Sequence, residues 1–270
     1  MDRLLTAEAA LADWYGEFEL PEGAVAEWRI GPARFQVVHR FGEWRVSQQR
    51  DEGLPLHAEV AFDDVEPMPE DKVERFVYAD QSGVFHVQPL LPDRSVVSRP
   101  AAPLFVPAGE AVRLYVTVPL WLQLSVGKQR KRLLEVPSYR PSDTWFGPTT
   151  MTGELCYALR SRCRLYLEDA EFVPYRAHIP VQIRNQASKQ LSLERVCVPV
   201  RQLSLYVTRD GRFWTDEVGL EQRDEGGSLA ALRLGGKAPK EAVDAQRIAT
   251  SRDAPGRRTA IHAFSALFNL

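Results

Sequence analysis

A chain of 270 residues with 44% hydrophobic and 26% charged side chains can bury a sizeable core without disulfide or metal staples, and its composition is not that of a disordered protein. Its 34 basic and 36 acidic side chains leave a net charge of -2, with no concentrated positive face for the phosphates of nucleic acid. Nucleic acid is therefore not an expected partner.

The first dozen residues carry Asp2 and Glu8 where a secretory signal needs basic and then uninterrupted apolar residues, so no signal peptide is expected. Helical periodicity is confined to this segment and to residues 239–246. Residues 28–38 and 41–46 read as short strands broken by glycine. The acidic run Asp63, Asp64, Glu66, Glu70 and Asp71 could supply a carboxylate pair for acid–base work. Pro67 and Pro69 within it favour a solvated loop.

From 112 to 126 the even positions are Val112, Leu114, Val116, Val118, Leu120, Leu122, Leu124 and Val126, which is the period of a strand. Pro119 has no ladder donor, so this strand is expected to bend there and pass between two sheets, or to lie at an edge. The uncharged run from 114 to 127 is shorter than the roughly 20 residues a membrane helix needs, and no transmembrane segment is expected. Lys128, Arg130, Lys131 and Arg132 follow it. They suit either contact with an anionic surface or partner, or a charged hairpin tip that keeps strands from pairing edge to edge.

Residues 138–157 combine turn formers with Tyr139, Trp145 and Phe146, and read as a loop packed at a joint, dividing the chain into domains 1–137 and 138–270. Alternation resumes at 155–168 and 179–184, and Asp210-Gly211 signals a hairpin over 205–215 closed by a tight type I′ turn. The expected fold class is all-β, two tandem antiparallel β-sandwich domains with little helix. Residues 116–120 echo residues 196–200 if a β-bulge adds one residue at Glu194-Arg195, which suggests a duplicated unit; five matched positions are also within the reach of coincidence.

Ser142 to Gly147, Gly153 to Ala158, Pro180 to Asn185, Val198 to Val200 and the early Trp14 to Phe18 together resemble an uncharacterised archaeal and bacterial family, Domain of Unknown Function 432. The resemblance covers nearly the whole chain and implies no catalytic residues. It implies a partner by context, since genes of that family tend to lie beside genes for small mechanosensitive channels.

Chemical fingerprints are sparse. Gly235-Gly-Lys237 is a fragment of a phosphate loop and reads as a turn. His39, His57, His86, His178 and His262 are isolated from one another, and no serine elbow occurs. Three cysteines without regular spacing fit a reducing cytoplasm; Cys156 and Cys163, seven apart on one strand, should face opposite ways, unable to pair or chelate together. No metal, cofactor or catalytic residue is therefore expected. Asp143, Trp145, Arg176, His178 and Trp214 are the candidate binding residues, expected near an inter-domain crease. The expected function is a cytoplasmic, non-catalytic binding or regulatory protein acting with a membrane channel or another protein partner. The alternative is a hydrolase or carbohydrate-acting enzyme with a site in that crease.

Overall fold

The computed structural model describes residues 14–53, 55–62, 65, 73–78, 82–149, 151–224, 229–254 and 260–265. The expected N-terminal helix and the acidic run from Asp63 to Asp71 lie outside the described residues. Within the described residues the protein is all-β, and its helical content is two short 3-10 turns, Leu167–Asp169 and Val200–Gln202. No helix among the described residues is long and apolar enough to cross a membrane.

The chain forms two compact units that interleave along the sequence. Met1–Leu90, Leu120–Tyr139 and Val173–Tyr175 make the first, and Leu91–Pro119, Arg140–Phe172 and Arg176–Leu270 make the second. A single cut after residue 137 would give Leu91–Pro119 to the wrong partner strands. The strands begin with β1 Gly16–Glu19, β2 Val25–Ile30, β3 Ala33–Arg40, β4 Glu43–Arg50, β5 Ala58–Phe62, β6 Val73–Val77 and β7 Val84–Leu90. Next come β8 Val96–Pro100, β9 Leu104–Val106, β10 Ala111–Pro119, β11 Trp121–Val126 and β12 Lys131–Pro137. The series continues with β13 Ser142–Phe146, β14 Glu154–Cys163, β15 Arg176–Asn185, β16 Leu191–Leu193, β17 Arg195–Val198 and β18 Leu205–Val207. It ends with β19 Phe213–Thr215, β20 Val218–Gln222, β21 Leu229–Leu234, β22 Gln246–Ala249, β23 Ala260–His262 and β24 Phe264–Ser265.

The first unit holds two antiparallel sheets, β5-β2-β3-β4-β6 and β1-β7-β11-β12. Aromatic side chains from both meet in one core. Trp28 stacks on Phe35 with centroids 5.2 Å apart and meets Phe18 edge-on at 5.1 Å. Phe85 from the other sheet lies 5.3 Å from Trp28 and 5.7 Å from Trp44. At the flank of this core the Glu27 side chain is buried. Burial alone would raise its carboxyl, but hydrogen bonds from Gln36, Arg29 and Arg34 hold it below the usual carboxylate range.

The second unit contains an eight-stranded sheet, β22-β18-β19-β15-β20-β21-β23 with β10 paired to β15, a five-stranded sheet β13-β14-β8-β17-β24, and the pair β16-β9. Most neighbours are antiparallel, but β14 runs parallel to β8, and β15 runs parallel to β19 and β20. The long apolar strand bends where Pro119 predicts. Its first part, β10, pairs with β15 from Ala111↔Arg184 to Pro119↔Arg176, and its second part, β11, pairs with β7 and β12 in the other unit's sheet. Leu120 lies at the break, where its amide donates to the Tyr175 carbonyl at 2.9 Å.

Three local expectations are corrected. Residues 240–244 form successive turns rather than a helix and Gln246 begins β22; Asp244 takes a left-handed φ of 57°, which no right-handed helix accommodates. The 205–215 hairpin is present, with Tyr206 opposite Trp214, but its loop is wider than a type I′ turn. Among its residues only Gly211 takes a positive φ, at 78°, and the Thr208 amide donates to the Arg212 carbonyl at 3.0 Å. The echo between 116–120 and 196–200 does not carry into the fold. At Glu194 the chain leaves β9 for β8 instead of forming a bulge within one pair, so the second segment belongs to another sheet than β10.

Candidate functional site

The segment 138–157 is a β-hairpin for most of its length, not an irregular loop. Ser142↔Ala158, Thr144↔Cys156 and Phe146↔Glu154 are partners across β13 and β14. Two glycines allow this. A Cβ on Gly147 would collide with the Thr152 carbonyl oxygen, and one on Gly153 would meet that of Phe146 at 2.6 Å, so the two strands close only where no side chain intervenes. The two aromatics then separate. Phe146 is buried with Val97, Cys156 and Cys197, whereas Trp145 is 44% exposed and donates from Nε1 to the Thr149 carbonyl at 2.9 Å. Of the two aromatics expected to pack at a joint, Phe146 is buried within the second unit and Trp145 is not buried, since neighbouring strand residues point to opposite faces.

Trp145 lies directly opposite Leu155, itself 46% exposed, and Met151 on the connecting turn is 91% exposed. β13 is an edge strand of its sheet. The result is an exposed apolar strip beside an outer strand.

Beneath the strip, Glu154 and Cys156 are two residues apart on β14 and so share a face. Cys197 reaches the same place from β17, on the other side of β8. The Cys156 and Cys197 sulfurs are 3.9 Å apart, and Cys197 Sγ is 3.9 Å from a Glu154 carboxylate oxygen. Arg195 covers this group, with its guanidinium 5.1 Å from the Phe146 ring centre and hydrogen bonds to Thr144 Oγ1 and the Trp145 carbonyl. None of the three cysteines is in a disulfide, and Cys163 is buried apart from the pair, its thiol pushed up to about 11 by burial against a hydrogen bond with Ser98. The spacing Glu-x-Cys on a strand is a readable signal for two of these groups. Nothing local points to Cys197.

Glu154 borders two cavities. One, about 390 Å³, is lined by Phe146, Thr152, Gly153, Leu229 and His262. The other, about 230 Å³, is lined by Asp93, Arg94, Arg201, Gln202 and Asp253, several of them joined in ion pairs. Arg201 grips Asp253 through two nitrogens at 3.0 and 2.8 Å and donates to the Asp93 carbonyl, while the Tyr157 hydroxyl donates to the Asp93 carboxylate at 2.8 Å. Arg94 and Arg140 stack over Tyr157 and both pair with Asp143.

The five candidate binding residues fall on two sheets. Asp143 and Trp145 are on β13, while Arg176 and His178 are on β15 and Trp214 is on β19. His178 and Trp214 are register partners with rings 5.4 Å apart, and Phe172 lies 4.1 Å from His178. His178 is 1% exposed and neither ring nitrogen has a hydrogen-bond partner. Burial first, then the cations of Arg212 and Arg176, push its pKa down to about 3. Arg176 pairs with Glu171 at 3.1 Å.

Lys128, Arg130, Lys131 and Arg132 surround the β11–β12 turn and are all exposed, and β12 is an edge strand. Arg132 pairs with Glu135 at 3.2 Å and Lys131 lies 5.3 Å from the Tyr78 ring centre. Neutralising Lys128 and Arg130 should leave stability within about 0.5 kcal/mol, as urea unfolding would show.

The chain belongs to the family described as Protein of unknown function (DUF432), which matches residues 14–269. No curated protein and no solved structure matches it.

Proposed function

We propose that the protein is a non-catalytic binding and regulatory module that docks a protein partner on the β13–β14 hairpin. The exposed strip Trp145, Met151 and Leu155 beside an edge strand carries this reading. An outer strand offers unpaired backbone groups to an added strand, and flanking apolar side chains select the partner.

The membrane channel implied by the family resemblance is the candidate partner, with the protein on the cytoplasmic side. The basic tip from Lys128 to Arg132 suits the anionic surface that surrounds such a channel. The test is direct binding to a purified small mechanosensitive channel in detergent, for the native protein and for a variant with Trp145, Met151 and Leu155 all replaced by Ser. Affinity should fall at least about tenfold, as loss of an aromatic anchor does. Equal binding by the two proteins would remove the hairpin as the docking element, and no binding by the native protein would remove the channel as partner.

A further inference from the structure

We propose that Glu154, Cys156 and Cys197 form a three-ligand site for a borderline-soft divalent metal of the zinc class, with its fourth position open to the cavity that Glu154 borders. Among the described residues these are the groups of three or more acidic, histidine or cysteine side chains whose ligand atoms converge, all within 4.8 Å of one another. Two ligands that meet zinc at about 2.3 Å in tetrahedral geometry stand about 3.8 Å apart. The two sulfurs are at 3.9 Å, and the carboxylate oxygen is 3.9 Å from Cys197 Sγ. Little movement is needed to place an ion among the three.

The donor set selects the ion. Two thiolates disfavour magnesium and calcium, which take oxygen ligands, and favour zinc and its soft neighbours. Both sulfurs are fully buried, so the ligands rest on packed strands rather than on loops. Glu154 is half-buried and faces the 390 Å³ cavity that also holds His262, which gives the ion an entry path and leaves room for a water or an incoming ligand. Charge also balances. Binding releases two thiol protons, and two thiolates with one carboxylate carry three negative charges. A divalent ion and the Arg195 cation, which interacts with both sulfurs, offset them. That arginine is half-buried, and its buried Nε has no hydrogen-bond partner, an otherwise costly placement beside two neutral thiols. The inference is independent of the docking role of the hairpin.

The test uses the full chain, reduced, treated with chelator and then titrated with Co²⁺ alone. One equivalent should bind with the sulfur-to-cobalt charge-transfer band and the intense visible bands of a tetrahedral site, and Zn²⁺ should displace it. Cys197→Ser should lose the charge-transfer intensity from one sulfur and bind at least about tenfold more weakly, Glu154→Gln should keep both sulfurs' band with weaker affinity, and Cys163→Ser should behave as the native protein. Because a buried Cys→Ser change can disturb folding, near-ultraviolet circular dichroism of each variant is recorded, and the native titration and Glu154→Gln stand without it. No cobalt uptake by the folded native protein would overturn the site. So would uptake unchanged in Cys197→Ser, or a Cys156–Cys197 disulfide formed in air by a protein that takes up no cobalt when reduced.

Discussion

Lowering the pH from 7 to 5 should destabilise the native protein by about 2 kcal/mol more than a His178→Phe variant, in urea unfolding measured at both pH values. In the folded state burial and two nearby arginines hold His178 neutral down to about pH 3, whereas in the unfolded chain it titrates near 6.5. Between those values the unfolded state binds the extra proton, so stability rises with pH and is lost as pH falls below about 6.5. Carried to pH 3 the loss attributable to this group reaches about 4 kcal/mol, a large share of the stability of an ordinary domain. The comparison is best made above about pH 4.5, where carboxylates of the unfolded chain are still largely ionised. Phe fills a similar volume beside Phe172 and Trp214 and removes two nitrogens that have no partner. If the two proteins lose stability in parallel between pH 7 and 5, His178 is not held neutral by its surroundings.

Trp28→Ala should cost about 3 to 5 kcal/mol, and Trp145→Ala less than about 1 kcal/mol, when unfolding free energies of the variants are compared. Trp28 has 0% exposure, touches Phe18, Phe35 and Phe85, and donates from Nε1 to the Trp14 carbonyl at 3.0 Å. Its removal leaves a cavity between two sheets and an acceptor without its donor. Trp145 gives up a hydrogen bond within its own turn and a half-exposed ring, and solvent fills the gap. Equal losses for the two variants would place Trp145 in a packed interior and withdraw the hairpin from the candidate docking elements.

The sequence reaches most reliably to what local sterics decide. Alternation along 112–126 places the apolar even positions correctly, and Pro119, unable to donate, marks the break at Leu120. Even there the alternation understates burial: Tyr115, Thr117 and Pro119 on the other face are buried as well, because β10 is covered on both sides. The hairpin after Val207 is likewise local, readable from Asp210-Gly211, although the side-chain hydrogen bonds of Thr208 to Asp210 and to the Arg212 carbonyl widen its loop. At 138–157 the same kind of reading fails. Turn formers outnumber strand formers there, but pairing with β14 supplies backbone partners that the composition does not reveal, and tertiary context overrides propensity.

By itself, then, the sequence determined that this chain is all-β and where its long strand bends. It also carried the motifs of its family, from Trp14 to Val200. Only the tertiary structure decided which strands are neighbours. That choice sets Cys197 against Cys156 and Glu154, separates Trp145 from Phe146, parts Asp143 from His178, and strips water from a histidine that looked like any other in the sequence. The physical reason is one of range. A period of two is fixed within a few residues by backbone sterics, whereas the sheet that brings residue 156 to residue 197 is selected by burial summed over the whole unit, and no local spacing records it.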